Sequence, residues 1–437
     1  MTYDDAIAYL LSFADFERSG RFLDRPDVAP VRRLLRALGD PQHGRITVHV
    51  AGSKGKGSVA AMIDAVLRAA GRSTGLYTSP HLHDYTERIR IDGEPISPAG
   101  FAGLTLALRE AVEGLDLGER GLVTFDLLTA LAFLAFRDAR LEAQVIEVGL
   151  GGRVDSTNVF DEKDVAVITP LSLEHTAVLS DDLQRIAAEK AGIITRGTTV
   201  VLAPQTDAGA GAVVRGRAVQ LDARLIDVAA DYRWAVLSHD RRGQDLRIER
   251  PGGALYVRLP LLGEHQAENA ATAVAAADFL RDRTGITDEA IAGGLSSVSW
   301  PGRLEVLRQA PLVIADGAHN RDSARRLAAA LGDYFGAQHV TFVIGSSSDK
   351  DVRGLAEELV PLAARVYTAR SAHPRAMEPA EIARIFAEAG AIAEDVDSVA
   401  SALDRALAAS TSDGVICLAG SLFVAAEGRA HLGKTAV

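Results

Sequence analysis

Apolar and polar residues alternate along the chain in a way that predicts helices and strands in turn. A first amphipathic helix is predicted from Thr2, where Thr2 and Asp5 can form a capping box. A second helix carries apolar residues from Val31 to Leu38 on one face and ends at Gly39. We expect both helices to pack on the elements that follow them.

After Arg45 the pattern becomes that of a strand, a glycine-rich turn and a helix. Residues 46–51 form the apolar run, and the following helix places apolar residues from Val59 to Leu67 on one face. Further strands are predicted at 75–78, 143–148, 165–169 and 199–203, with helices at 125–137 and 183–191 between them. This alternation predicts a mainly parallel sheet covered by helices.

The second half of the chain contains two changes of pattern. Residues 218–260 show short strands and turns, which predict a small β-rich insertion before a long helix from Gln266. Pro301 and Gly302 then interrupt the periodicity after Trp300 and mark a domain boundary. A second series of strands is predicted near 312–316, 340–344, 365–369 and 414–419.

The pattern therefore predicts an α/β chain of two domains. The first, residues 1–299, is a P-loop-type domain with a mainly parallel sheet and a small β-rich insertion. The second, residues 300–437, is a smaller Rossmann-like domain. A length of 437 residues agrees with two domains and leaves room for a cleft between them.

Composition narrows the class of protein. A net charge of -11 disfavours binding to the phosphate backbone of nucleic acid, so we expect no nucleic-acid partner. The single cysteine, Cys417, lies in an apolar run and excludes an internal disulfide bond, which suits a reducing cytoplasm. No apolar run reaches membrane-spanning length and the N-terminal residues do not resemble a signal peptide, so we expect a soluble cytoplasmic protein without a membrane partner.

The strongest local motif is the glycine-rich turn at 52–58, which we call the phosphate loop. Its glycines let backbone N–H groups converge on phosphate oxygens, and the start of the following helix adds positive potential. Lys56 can neutralise a transferring phosphoryl group. The sequence thus predicts a nucleotide site, although Gly57 separates Lys56 from Ser58, where a common P-loop has its hydroxyl residue directly after the lysine.

Polar residues also follow two other predicted strands. Glu147 ends the strand at 143–148 and is followed by glycines, at the edge where open α/β sheets bind ligands. The spacing of these glycines is wrong for a nicotinamide nucleotide site. His175 follows the strand at 165–169 and can bind a metal through a neutral imidazole, whereas Lys190 on its helix would by itself be a solvated surface residue.

These motifs, in this order, resemble those of the folylpolyglutamate synthase and dihydrofolate synthase family within the Mur ligase superfamily. One such motif would be weak evidence, but the ordered set is specific and covers nearly the whole chain. The matching segments are 52–58, 78–82, 85–89, 147–158, 175–176, 189–193, 269–271, 301–303 and 316–320.

The resemblance implies a set of site residues. Lys56, His175 and Lys190 are the expected catalytic residues, and Ser79, Glu147 and His175 are the expected ligands of two magnesium ions. The family carbamylates the lysine that matches Lys190, which would turn a cation into an oxygen donor for a hard metal. The expected contacts to ATP are Gly52, Gly55, Lys56, Gly57, Ser58, Asn269, Arg303 and Asp316.

The resemblance also implies a folate pocket and an activity. Phe125, Asp126 and Asp155 match the pocket that binds the pterin ring, with Asp126 in place of the family's usual glutamate. The implied activity is an ADP-forming ligase that adds L-glutamate to dihydropteroate, to the terminal glutamate of tetrahydrofolate, or to both, through an acyl phosphate. Residues 1–299 would hold ATP and the folate, and residues 300–437 would be the ligase domain.

Two other functions remain open on the sequence. One is a Mur-type ligase of another substrate, such as a cell-wall precursor, and the other is a P-loop NTPase that regulates a partner protein. The expected partners of the ligase are small molecules, namely ATP, L-glutamate and a folate or dihydropteroate. A monomer is the default expectation for its oligomeric state.

Overall fold

The computed structural model describes residues 1–19, 27–115, 121–173 and 180–435. Within these ranges the helices are α1 Tyr3–Leu11, α2 Phe16–Ser19, α3 Ala29–Ala37, α4 Lys56–Ala69, α5 Pro98–Glu113, α6 Thr124–Asp138, α7 Leu183–Ala191, α8 Ala208–Gln220, α9 Val228–Asp231, α10 Glu264–Thr284, α11 Asp288–Ser297, α12 Arg321–Phe335, α13 Val352–Leu359, α14 Pro379–Glu388, α15 Val399–Ala409 and α16 Leu422–His431. Short 3-10 helices cover Tyr85–Arg88 and Val360–Leu362.

The strands of the described residues belong to three sheets. They are β1 Ile46–Ala51, β2 Thr74–Tyr77, β3 Ile89–Ile91, β4 Glu94–Pro95, β5 Ala143–Glu147, β6 Val165–Ile168, β7 Thr199–Leu202, β8 Arg224–Asp227, β9 Arg233–Asp240, β10 Gly243–Arg250, β11 Gly253–Leu259, β12 Glu305–Gln309, β13 Leu312–Ala315, β14 Val340–Ile344, β15 Ala363–Ala369, β16 Ala393–Val396 and β17 Val415–Ala419. The α/β fold class is confirmed.

The first sheet has eight strands in the order β4-β3-β2-β5-β1-β6-β7-β8. All its pairs are parallel except those made by β3, which is antiparallel to both β2 and β4. Alternate residues of β1 and its neighbours point to opposite faces of the sheet. One face is covered by α4, α10 and α11, and the other face is covered by α6, α7 and α8. Because both faces are buried, the central strands are almost uniformly apolar, as the sequence pattern indicated.

The β-rich insertion is smaller than predicted. Its antiparallel sheet, in the order β11-β10-β9, begins at Arg233 rather than at Ala218. Residues 218–220 still belong to α8, and β8 joins the edge of the first sheet beside β7. The prediction was wrong there because an exposed edge strand has the same mixed pattern as the strands of a small two-sided sheet.

The second large sheet has six strands in the order β12-β13-β17-β14-β15-β16. The predicted strands β13, β14, β15 and β17 are confirmed and pair in parallel. β12 and β16 at the two edges were not predicted, because they are only partly buried and carry polar residues. Cys417 is buried in the central strand β17, as expected. Among the helices described, none is both long and apolar enough to cross a membrane.

Two adjacent glycines of α11 differ in how closely they approach α4, and this difference predicts opposite effects on stability. A Cβ atom at Gly294 would lie 2.5 Å from Val66 Cα and 2.7 Å from Ala65 O, whereas one at Gly293 would meet nothing within 4 Å. We expect Gly294→Ala to lower the free energy of unfolding by about 1–3 kcal/mol through overpacking. Gly293→Ala should raise the free energy of unfolding by roughly 0.5–1 kcal/mol, because alanine has a higher helix propensity than glycine.

The midpoints of urea denaturation of the two variants and the parent chain test this expectation. Equal shifts in the two variants would show that contact between α11 and α4 does not limit residue size at position 294.

Candidate active site

The phosphate loop connects β1 to α4 and is held against the end of β6. Gly55 caps α4 with a φ of +82°, and Gly52 has a φ of +147°. The Ser53 and Lys54 N–H groups donate to the Pro170 carbonyl at 3.1 and 3.0 Å. The loop therefore wraps the first turn of α4, where backbone N–H groups have no partner within the helix and can bind an anion.

The start of α10 packs on this loop. Asn269 is buried, and a Cβ atom at Gly55 would overlap its side-chain oxygen. The Asn269 amide donates to Gln266 Oε1 at 3.0 Å, and the Gln266 amide donates to the Ser58 hydroxyl at 3.3 Å. Two side chains of α10 therefore fix the phosphate loop from the side opposite to β6.

Glu147 and Ser79 lie together at the ends of neighbouring strands. Ser79 follows β2, Glu147 ends β5, and the Ser79 N–H donates to Glu147 Oε2 at 3.2 Å. Burial raises the pKa of Glu147 above its usual range, while the charge of Lys56 and the Ser79 N–H oppose that rise. A carboxylate and a hydroxyl beside a phosphate-binding loop are oxygen donors of the kind that magnesium prefers.

The C-terminal sheet supplies Arg303 and Asp316 to the same region. The Asp316 carboxylate accepts hydrogen bonds from the Leu304 and Ala318 N–H groups, both at 2.8 Å. Burial raises the pKa of Asp316, and the nearby Arg303 guanidinium opposes that rise. Asp316 thus ties the loop after β13 to the segment before β12, so that both residues face the first sheet.

A cavity of about 1120 Å³ extends between the two large sheets and contacts most of the predicted site residues. The predicted residues on its wall are Gly55, Lys56, Gly57, Ser58, Ser79, Phe125, Glu147, Asp155, Asn269, Arg303 and Asp316. They come from segments far apart in the sequence, because the carboxyl ends of parallel strands meet at one edge of a sheet.

Three predicted residues lie behind this wall. The buried Lys190 ammonium donates to the Gly52 carbonyl at 2.8 Å, and neither residue lines the cavity. Asp126 is fully buried and accepts from the Val123 N–H at 3.0 Å and the Ser156 hydroxyl at 2.6 Å. Gly52, Asp126 and Lys190 therefore support the wall rather than form it. His175, the remaining predicted ligand, lies outside the described residues.

The far end of the cavity combines an aromatic ring with a buried carboxylate. A Cβ atom at Gly149 would lie 2.5 Å from Phe125 Cζ, so only glycine leaves room for the ring there. The Asp155 carboxylate accepts from the Leu150 N–H at 2.9 Å and the Thr157 N–H at 3.0 Å. Burial raises the pKa of Asp155, against these hydrogen bonds, which favour its ionised form.

Several charged residues on the cavity wall were given no role from the sequence. Arg88 forms an ion pair with Glu17 at 2.6 Å, and Arg375 forms one with Asp349 at 2.9 Å. Lys350 lies beside Asp349 at 3.3 Å and also contacts the cavity. Arg88 ends the short 3-10 helix Tyr85–Arg88 and lies in the matching segment 85–89, but that match gave its side chain no role. Lys350 and Arg375 lie on loops, and tertiary packing brings them to the cavity.

Family models match both halves of the chain. Residues 50–277 match the Mur ligase middle domain, and residues 302–422 match the Mur ligase, glutamate ligase domain. The folylpolyglutamate synthase of Lacticaseibacillus casei is 34% identical over 444 residues, covering 99% of each chain. The dihydrofolate synthase/folylpolyglutamate synthase of Mycobacterium tuberculosis is 38% identical over 372 residues, covering 81% of this chain and 76% of that protein.

The chain belongs to the folylpolyglutamate synthase/dihydrofolate synthase family. The structure of Mycobacterium tuberculosis folylpolyglutamate synthase complexed with ADP and AMPPCP has a TM-score of 0.89 and 36% sequence identity, covering 99% of this chain and 100% of that one. The probable bifunctional folylpolyglutamate synthase/dihydropteroate synthases of Haloferax volcanii and Halobacterium salinarum are each 37% identical, and the chain spans only 50% and 52% of their length. Family membership does not favour a Mur-type ligase of another substrate.

The close contact between Gly55 and Asn269 generates a prediction for nucleotide binding. Gly55→Ala would add a Cβ atom that overlaps the Asn269 side chain and would strain a backbone with positive φ. We expect the variant to bind ATP at least about tenfold more weakly, as measured by calorimetry, because the loop N–H groups lose their common direction.

Gly71→Ala is the matched control, since Gly71 has a φ of +77° but a Cβ atom there would meet nothing within 4 Å. That variant should carry the same backbone strain and keep its affinity for ATP. Equal loss of affinity in both variants would contradict a specific role for Gly55.

Proposed function

We propose that the chain is an ATP-dependent ligase that adds L-glutamate to dihydropteroate, to the terminal glutamate of tetrahydrofolate, or to both. The observation that carries this proposal is the single cavity that joins the phosphate loop, Glu147 with Ser79, and Arg303 with Asp316. A ligase needs these features together, because it must hold a triphosphate beside a carboxylate substrate and exclude water. The names of the relatives supply the substrate class.

In this proposal ATP lies between residues 1–299 and residues 300–437. Gly55, Gly57 and Ser58 at the start of α4 bind its phosphates, and Lys56 neutralises the transferring phosphoryl group. Asn269, Arg303 and Asp316 contact the rest of the nucleotide from the other side of the cavity. Arg303 and Asp316 come from the C-terminal part, so the nucleotide would hold the two parts of the chain together.

Magnesium fits the donors at the edge of the first sheet. Ser79 and Glu147 would hold it, with His175 as a further ligand, and bound magnesium would spread the negative charge of the phosphates. Carbamylation of Lys190 belongs to the same proposal. A carbamate on Nζ would keep one N–H for the Gly52 carbonyl and add oxygen donors next to the phosphate loop.

The proposed reaction has two steps. The acceptor carboxylate first attacks the γ-phosphorus of ATP, which forms an acyl phosphate and releases ADP. The amine of glutamate then attacks the acyl carbon, phosphate leaves with the C–O bond electrons, and the released phosphate takes up the proton that the nitrogen loses. Lys56 stabilises the developing charge in the first step, and a preorganised donor of this kind is worth about 3 kcal/mol in transition-state stabilisation. The cavity walls keep water from hydrolysing the acyl phosphate.

A regulatory P-loop NTPase is the alternative from another class. Such a protein would need the phosphate loop, but it would have no use for a cavity that continues past Glu147 to Phe125 and Asp155. The alternative also predicts ATP hydrolysis without any ligated product.

One assay tests the proposal and the role of Lys56 together. Purified protein is incubated with ATP, magnesium, L-glutamate and either dihydropteroate or tetrahydrofolate, and mass spectrometry detects the addition of one glutamate. We expect the parent chain to form product and Lys56→Ala to lose at least about a hundredfold in rate, because the transferring phosphoryl group loses its cation.

Lys434→Ala is the control, because Lys434 is an exposed lysine near the C-terminal end of the described chain and lies outside the cavity. Thermal unfolding should be unchanged in both variants. Full activity of Lys56→Ala would refute the assigned role, and ADP release without a ligated product would favour the regulatory NTPase.

Glu147→Gln tests the proposed magnesium site. The variant keeps the shape of the side chain but removes the charge, so we expect the magnesium concentration for half-maximal turnover to rise at least about tenfold. Glu110→Gln, at an exposed position of α5, is the matched control. An unchanged magnesium titration for Glu147→Gln would show that this carboxylate does not hold the ion.

A further inference from the structure

A chain of buried hydrogen bonds connects Asp155 on the cavity wall to a lysine inside the protein. The Thr157 hydroxyl donates to Asp155 Oδ1, and Thr157 Oγ1 lies 2.9 Å from His49 Nε2. His49 Nδ1 lies 3.0 Å from the Nζ atom of Lys163. His49 and Thr157 are fully buried, and Lys163 is 6% exposed. The proposed reaction uses none of these three residues directly.

The surroundings of Lys163 show why its amino group lies in this position. Nζ donates to the Ile193 carbonyl at 2.7 Å and to Asn158 Oδ1 at 3.3 Å. The Asn158 amide donates to the Arg153 and Gly192 carbonyls, both at 3.1 Å, which points Oδ1 towards Lys163. Burial, with a contribution from Arg32, lowers the pKa of Lys163 to about 7, so below that pH Nζ is an ammonium with three N–H bonds. Oxygen acceptors use two of them, and the third can donate to His49 Nδ1.

Asp155 and Lys163, at the two ends of the hydrogen-bond series, fix the same direction of donation. Backbone N–H groups donate to both oxygens of Asp155, which favours the ionised carboxylate, an acceptor only. Burial, with a contribution from Lys163, lowers the pKa of His49 well below its usual value, so the ring is neutral and has one N–H. If Nδ1 accepts from Lys163, then Nε2–H donates to Thr157, whose hydroxyl must donate to Asp155.

We propose that Lys163, His49 and Thr157 are positioning residues that hold Asp155 as a hydrogen-bond acceptor at the cavity wall. The wall would then select an acceptor substrate that presents N–H groups, such as the amino-substituted ring of dihydropteroate. The identity of that substrate rests on the proposed function, whereas the direction of hydrogen-bond donation from Lys163 to Asp155 does not. The same lysine joins the Asp155 segment to the turn after α7, through Asn158 and Ile193.

Steady-state kinetics of three variants test the effect on the substrate. Thr157→Val removes the hydroxyl at nearly constant volume, and we expect the KM for dihydropteroate to rise about tenfold, the effect of weakening one hydrogen bond to a charged group. The KM for ATP and the kcat should change by less than about twofold, because the phosphate loop is not altered. Thr157→Ser keeps a hydroxyl and should restore the KM. Thr105→Val is the control, because it removes a buried hydroxyl of α5 that does not belong to the series of hydrogen bonds from Lys163 to Asp155.

An unchanged KM for dihydropteroate in Thr157→Val, or an equal rise in Thr105→Val, would overturn the inference. If the parent chain makes product while Thr157→Val behaves like it, the inference fails and the proposed function stands. If the parent chain makes no product at all, the proposed function fails.

The direction of hydrogen-bond donation from Lys163 to Asp155 is tested by a separate measurement, which needs no substrate. Nitrogen NMR of the histidine-labelled parent chain is recorded below pH 7, where Lys163 is protonated, with His49→Gln to assign the signal. It should show the Nε2–H tautomer of a neutral ring. Lys163→Met should shift the two ring-nitrogen signals, because Nδ1 loses its donor. An Nδ1–H tautomer in the parent chain would overturn the inference, and this result does not depend on whether Thr157→Val folds.

Discussion

The close approach of backbone and side chains around the phosphate loop is the constraint on which the rest of the site depends. Gly52 and Gly55 have no Cβ atom, and this lets Thr169 and Asn269 contact the loop from opposite sides. The contacts bring the ends of β1 and β6 and the start of α10 together. The first turn of α4 consequently faces a space bounded by the second large sheet, and the cavity exists because these elements meet there.

The wall of the cavity contains three carboxylates that are held in a common way. Glu147 accepts the Ser79 N–H, Asp155 accepts N–H groups from its own turn, and Asp316 accepts those of Leu304 and Ala318. Burial raises the pKa of each one, and backbone donors favour its charge. Each carboxylate therefore fixes a turn at the end of a strand while it still faces the cavity.

The sequence predicted those parts of the molecule that have a local cause. β1 and α7 were predicted with their observed bounds, because a buried strand and a capped amphipathic helix have strong patterns. The edge strands β12 and β16 were missed, since exposure removes the apolar alternation.

For the candidate site, the motifs identified most of the wall. They could not show that Asp126 and Lys190 lie behind it, since a motif gives the residue but not the direction of its side chain. Arg88 lies in the matching segment 85–89, but the match gave its side chain no role, and tertiary packing alone brings Arg375 to the cavity. His175 lies outside the described residues, so its predicted role is untested.

Trp300 has a consequence for how chains of this shape can vary. A Cβ atom at Gly57 would lie 2.9 Å from Trp300 Cζ2, so the indole ring fills the space that a side chain at the start of α4 would occupy. Trp300 directly precedes the segment that leads into β12. Positions 57 and 300 are therefore not independent, and a homologue with alanine at the first should have a smaller residue at the second.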